Sequence, residues 1–225
     1  PARGRRSRRV RRPAERLSRR RRLLTVMLQA IAKLILKVGG WEIVGELPAE
    51  KRAVVIAAPH TSNWDGFWAL VYRVAVQLDI HFFAKRSLFW FPLNILLRAL
   101  GGVPLDRKRA GSAVDQAIEM FKTKESYYFG LAPEGTRSRA DHWKSGFYRI
   151  AEGADVPVVL GFLDYGKRRI GIGPALKLSG DPQKDLEVFR EFYRDVRGRH
   201  PEMAGPITFP DRPQVGARRK KKATQ

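Results

Sequence analysis

Apolar residues along this chain follow two rhythms, which alternate from about residue 40 onwards. Trp41-Glu42-Ile43-Val44-Gly45 switches between apolar and polar positions as a half-buried strand does. Ala53-Val54-Val55-Ile56-Ala57 is apolar throughout, the pattern of a strand covered on both faces. Residues 65–78 then carry a helical pattern, and Ile80-His81-Phe82-Phe83-Ala84 reads as the next strand. Residues 89–100 are apolar with Pro92 in the first turn, predicting a helix that Gly101-Gly102 stops before a short extended piece, Val103-Pro104-Leu105. Ser112 and Asp115 have the spacing of a capping box, and Ala113, Val114, Ala117, Ile118 and Phe121 share one face of the helix it opens. Tyr127-Tyr128-Phe129-Gly130-Leu131 is a buried strand, residues 146–152 a short helix, and Val156-Pro157-Val158-Val159-Leu160 another strand. Residues 169–172 add a strand and residues 186–196 an amphipathic helix, and after His200 Pro, Gly and Lys dominate and the pattern fades into disorder. This alternation predicts a single α/β domain with a largely parallel or mixed central sheet and helices on both faces.

Residues 23–38, ahead of that domain, form a different kind of segment. Thr25, Gln29, Lys33 and Lys37 recur every four positions, so a helix here has one narrow polar stripe and is otherwise apolar. At ~1.5 Å per residue it spans roughly 24 Å, short of a ~30 Å hydrocarbon core. Such an N-terminal amphipathic helix either lies in a membrane interface or packs on the domain as a core helix. The four Arg at 19–22 would sit at lipid headgroups and favour the first reading. No small-x-small cleavage pattern follows, so the segment reads as retained.

Composition changes this picture mainly through charge. The 225 residues and 44% hydrophobic content suit one domain with a complete core, and the lack of Cys excludes disulfides, thiolate metal sites and a cysteine nucleophile. The net charge of +22 is concentrated at the ends. Residues 1–22 hold twelve Arg against one Glu, and residues 218–222 add five positive charges, leaving about +6 between them. Tails of this kind seek a polyanion, either an anionic membrane surface or a nucleic acid, or act only to solubilise. The chain thus divides into a basic disordered tail (1–22), an interfacial helix (23–38), a main domain (39–200) and a basic Pro/Lys-rich tail (201–225).

Three polar clusters follow strands, where open α/β sheets bind ligands beyond the carboxyl ends. His60 and Asp65 bracket the start of a helix in Pro59-His60-Thr61-Ser62-Asn63-Trp64-Asp65-Gly66. A carboxylate can orient an imidazole and stabilise its protonated form, but only if His60 lies in the turn before the helix and Asp65 in its first turns, with Asn63 or Thr61 as the cap. Asp106-Arg107 ends the second cluster, and Arg suits a planar grip on phosphate or forms an inert surface pair. Pro133-Glu134-Gly135-Thr136-Arg137 places a Gly, a hydroxyl and an Arg together, a set able to hold an anion. No G-x-S-x-G elbow, Walker A loop or complete G-x-G-x-x-G is present, and His81, His142 and His200 lack metal-ligand spacing.

The ordered combination resembles the glycerolipid acyltransferases of the 1-acylglycerol-3-phosphate (lysophosphatidic acid) type. His60 to Asp65 resembles the H-x4-D block of that family, Gly101 to Arg107 its second block, and Glu134-Gly135-Thr136-Arg137 its E-G-T-R block. Val156-Pro157-Val158 resembles the fourth block, and Ala84-Lys85-Arg86-Ser87-Leu88 the Lys-containing segment. The resemblance implies an O-acyltransferase in which His60 is the general base, Asp65 orients it, and acyl transfer is direct. It further implies that Arg107, Arg137 and Lys85 hold the phosphate of a lysolipid acceptor, and that Glu134, Gly135 and Thr136 shape that pocket. No metal and no bound cofactor are implied; acyl-CoA or acyl carrier protein is a co-substrate. The partners are then an anionic membrane surface met by residues 1–38, on the cytoplasmic face, and a lysolipid. Asn63-Trp64 before Asp65 and Val103-Pro104-Leu105 depart from the commoner pattern, leaving a different lyso-lipid or a glycolipid open as acceptor. Two readings of other classes stand beside it: a nucleic-acid-binding protein acting through its tails, for which the body holds no recognition motif, and a lipid-binding homologue without activity.

Overall fold

The computed structural model describes residues 13–105 and 113–210, with side chains from residue 22 onward. Seven strands form one sheet: β1 (Glu42–Val44), β2 (Arg52–Ala58), β3 (Ile80–Lys85), β4 (Gly102–Leu105), β5 (Tyr127–Leu131), β6 (Val158–Asp164) and β7 (Arg169–Leu176). Their order is β1-β7-β6-β2-β5-β3-β4, and every pairing is parallel except β6 with β7. The helices are α1 (Pro13–Val38), α2 (Asn63–Val76), α3 (Leu93–Ala99), α4 (Ala113–Lys122), α5 (Gly146–Ala154) and α6 (Pro182–Tyr193). The expected mixed α/β domain is therefore present.

β2 shows why its sequence has no polar position after Arg52. Val54 and Ile56 pack with residues of α4, α5 and α6 on one face, while Ala53 and Val55 pack with α1 and α2 on the other. Pairing with β5 and β6 covers both edges. With apolar layers above and below, alternation disappears from the strand. The carboxyl ends of β2, β3, β4 and β5 all reach one edge of the sheet, where the polar clusters were expected.

Four expectations change. α1 begins at Pro13, so ten residues assigned to the basic tail are helical. Arg and Leu are good helix formers and Pro is at home in a first turn. The helix expected over residues 89–100 is confined to Leu93–Ala99, with Pro92 as its N-cap residue and a 3-10 turn at Arg86–Leu88 before it. β7 runs on to Leu176, because its antiparallel pairing with β6 continues to Leu176. The disorder expected from residue 201 does not hold for residues 201–210. There Ile207 and Phe209 pack against the core, Phe209 meets Phe147 and Tyr148, and Trp143 N donates to Thr208 O at 2.8 Å. Composition reads Pro and Gly as loop, but two apolar side chains with an open core beside them suffice to order it. Residues 1–12, Ser112 of the expected capping box and residues 211–225 lie outside the described residues.

α1 packs in a way its periodicity left open. Ala32 and Leu36 are buried against the domain, and Gln29 on the polar stripe turns inward to donate to Ala75 O at 3.1 Å and accept from Gln77 at 2.9 Å. The broad apolar face points away, leaving Leu23, Leu24, Val26, Met27, Ile31, Leu34 and Val38 exposed. Among the described residues no helix is long and apolar enough to cross a membrane.

Candidate active site

The site is built on the start of α2. Ser62, rather than Asn63 or Thr61, is the N-cap: its Oγ accepts from Trp64 N, and Asp65 at the third helical position reaches back to accept from Ser62 N. This is a capping box with Asp in place of the usual Glu or Gln. The box solves the problem posed by the five-residue spacing. A carboxylate that folds back over the helix end points at the residues before the cap, where His60 lies. Asp65 Oδ2 accepts from Thr61 N and Ser62 N at 2.7 Å each and meets His60 Nδ1 at 3.2 Å. The Asp65 side chain is buried, at 3% exposure, and the His60 ring is about a quarter exposed at 28%.

Burial alone would raise the Asp65 carboxyl. Hydrogen bonds from His60, Tyr165, Ser62 and Thr61 outweigh it and hold the group below its ordinary value. With Asp65 ionised, the His60 proton belongs on Nδ1 and the lone pair on Nε2. An imidazole held in that tautomer, with a carboxylate behind it, can take a proton from a hydroxyl brought to Nε2.

Glu134, from the loop after β5, supports His60 from the other side. Its Oε2 accepts His60 N at 2.7 Å. The side chain is buried and its pKa is pushed up to about 7, mainly by desolvation, with the His60 contacts working against the rise and the charge of Asp65 adding to it. Two carboxyls in contact with one histidine are thus driven apart, Asp65 down and Glu134 up.

Arg137 reaches the same place and donates to Asn63 Oδ1 in the first turn of α2. Gly135 has φ +64°, a left-handed conformation suited to Gly, and a Cβ there would stand 2.6 Å from Lys144 Nζ. Thr136 Oγ1 accepts from Ser138 N at 3.2 Å and so shapes the loop. Beside the His60–Asp65 pair an apolar cavity of about 270 Å³ runs under α2, between Val55 and Ala57 of β2, Gly130 and Leu131 of β5, and Gly66, Ala69 and Leu70 of α2. A Cβ added at Gly66 would meet nothing within 4 Å, so Gly here leaves room open.

A family model described as "Acyltransferase" matches residues 40–159, just over half of the chain. The chain belongs to the acyltransferase family. Among solved structures it is similar to the 1-acyl-sn-glycerophosphate (LPA) acyltransferase PlsC from Thermotoga maritima, with 22% identity over 78% of each chain and a TM-score of 0.53. That likeness supports the same fold. No curated protein matches the chain.

Of the expected site residues, this acyltransferase brings Asp65 and Glu134 each into contact with His60 and sets Arg137 against the helix that carries Asp65. Gly135 and Thr136 lie on the same loop as Glu134. Lys85 ends β3 at the same edge, exposed, with β5 between β3 and β2. Arg107 lies outside the described residues. Three contributors went unread in the sequence. Ser62 carries a visible signal, since Ser62 and Asp65 have capping-box spacing. Lys144 and Tyr165 carry none, because each meets the site through contacts across loops.

Proposed function

We propose that this acyltransferase moves a fatty acyl group from an acyl thioester, acyl-CoA or acyl carrier protein, to the free hydroxyl of a lysophospholipid such as 1-acylglycerol-3-phosphate. The observation that carries the reading is the placement of His60 and Asp65 at an apolar cavity with Arg137 beside them. The cavity suits an acyl chain, Arg137 suits a phosphate, and His60 lines the cavity three residues from the Asn63 that Arg137 meets. The acceptor's hydroxyl gives its proton to His60 Nε2 as its oxygen attacks the thioester carbonyl. The tetrahedral intermediate collapses, the C–S bond breaks, and the leaving thiolate takes the proton back from Nε2. Asp65 stabilises the imidazolium in between. The PlsC activity named above, acylation of 1-acyl-sn-glycerophosphate, supports this choice of acceptor.

Both lipids live in a bilayer, so the site must work at a membrane surface, in this reading the cytoplasmic leaflet. The exposed apolar face of α1 supports that, together with Trp90 and Phe91 before α3, which are 59% and 76% exposed. Ile31→Glu with Leu34→Glu places two charges on the uncovered face without touching Ala32 or Leu36. It is expected to abolish co-sedimentation with anionic vesicles while leaving the melting temperature in place; unchanged sedimentation would remove α1 from the contact.

The direct test incubates the purified protein with vesicles, a panel of lysolipids and both donor types, and identifies products by mass. A diacyl product from a phosphorylated lysolipid supports the reading, and acylation confined to acceptors without phosphate rejects it. For Arg137→Ala the expected result is a roughly ten- to hundredfold rise in acceptor KM, the size of one charge-assisted hydrogen bond, with donor KM unaltered. An unchanged acceptor KM takes Arg137 out of the phosphate site.

A further inference from the structure

Tyr165 lies in the turn joining β6 to β7, a hundred residues from Asp65, yet its hydroxyl donates to Asp65 Oδ1 at 2.8 Å. The two carboxylate oxygens have separate partners. Oδ2 takes Thr61 N, Ser62 N and His60 Nδ1, and Oδ1 takes Tyr165. Rotation of the carboxylate about its Cβ–Cγ bond, which would draw Oδ2 away from His60, must therefore break the phenol contact as well. We infer that Tyr165 is a positioning residue for acyl transfer, its hydroxyl holding the Asp65 carboxylate with Oδ2 facing His60 Nδ1. This rests on the reading of His60 as the base.

The rest of the turn is built to keep that hydroxyl in place. The Tyr165 ring meets Trp41 edge-on, with centroids 4.9 Å apart, and Trp41 in turn packs on Trp68 of α2. Tyr165 N donates to Arg197 O at 2.8 Å. Asp164, buried just before it, uses Oδ1 to accept from Gly166 N at 2.9 Å, Lys167 N at 3.2 Å and Arg197 N at 3.3 Å. A surface turn that needed only to join two strands has no use for this many fixed points. The phenol itself is pushed up by burial and by Asp65, so it stays protonated and acts only as a donor. The groups facing the Asp65 carboxylate are His60 and Tyr165 in contact and Glu134 beyond His60, while the charges of Arg168 and Arg199 act on the phenol against the rise.

Tyr165→Phe removes the hydroxyl and keeps the ring contacts with Trp41. The expected result is a kcat about tenfold lower with both KM values within twofold of wild type, since neither substrate touches the lost atom. The low-field proton signal of His60 Nδ1–H should shift or broaden in the NMR spectrum, a change that a purely structural contact would not cause. In an Asp65→Asn background the same substitution should add nothing further to the loss. A kcat within twofold of wild type overturns the inference, as does a loss that persists undiminished in the Asp65→Asn background. A variant that fails to fold assigns the hydroxyl to structure and overturns it equally. His60→Ala assayed alongside separates the two levels: if that variant stays active, the proposed base is wrong, whereas an inactive His60→Ala beside a fully active Tyr165→Phe rejects the Tyr165 inference alone.

Discussion

His60→Ala is expected to lower kcat by about a thousandfold, within the roughly 10²–10⁴ that a positioned general base contributes. The expectation follows from two contacts and a cavity rather than from the histidine alone. Glu134 holds the His60 main chain, Asp65 holds Nδ1, and His60 and Asp65 both line the apolar cavity. The substitution leaves both main-chain contacts intact: Glu134 binds the backbone N–H of residue 60, and the capping box uses Ser62 and Asp65. Fold and vesicle binding should therefore persist, measured by circular dichroism and co-sedimentation, while steady-state turnover collapses. Activity within tenfold of wild type would mean that another group takes the proton.

At Glu134 the expected result is a stability difference that appears only as pH rises. The folded-state pKa is about 7 and the ordinary value 4.5, so the unfolded chain releases its proton first. Raising the pH from about 4.5 to about 7 therefore removes stability, at ~1.4 kcal/mol per unit, to a total of about 3 kcal/mol. Below about pH 4.5 the group is protonated in both states and the penalty is absent. Glu134→Gln keeps an oxygen to accept His60 N–H and cannot ionise. Urea unfolding of both proteins at pH 4.5, 6 and 8 should give similar stabilities at the first and a more stable Gln variant, by about 3 kcal/mol, at the last. Parallel curves across that range would show that Glu134 ionises as readily in the folded protein as in the unfolded chain.

These two residues also show why the site was only partly legible. His60, Asp65, Glu134 and Arg137 sit in short blocks at strand ends, and residues within a few positions of a strand end share its edge of the sheet. Their meeting could be read from topology alone. The orientation of Asp65 could not, because it depends on which residue caps α2. Assigning the cap to Asn63 or Thr61 misses the box through Ser62 that turns the carboxylate back. Tyr165 is out of reach for a different reason: β6 lies beside β2 although more than a hundred residues separate their starts, and no local pattern says which strand end will face another.

By itself the sequence determined the alternation of strands and helices, the burial of β2 on both faces and the edge at which the His60 and Glu134 blocks gather. Those properties follow from side-chain periodicity and from chain direction, which are local. Only the tertiary structure decided that β7 runs antiparallel to β6, that residues 201–210 close over the core, and that Tyr165 completes the environment of Asp65. It also decided that α1 packs through Gln29, Ala32 and Leu36 and turns its apolar face outward. Periodicity states which residues share a face. What that face meets is settled by how the layers come together, through contacts between residues distant along the chain.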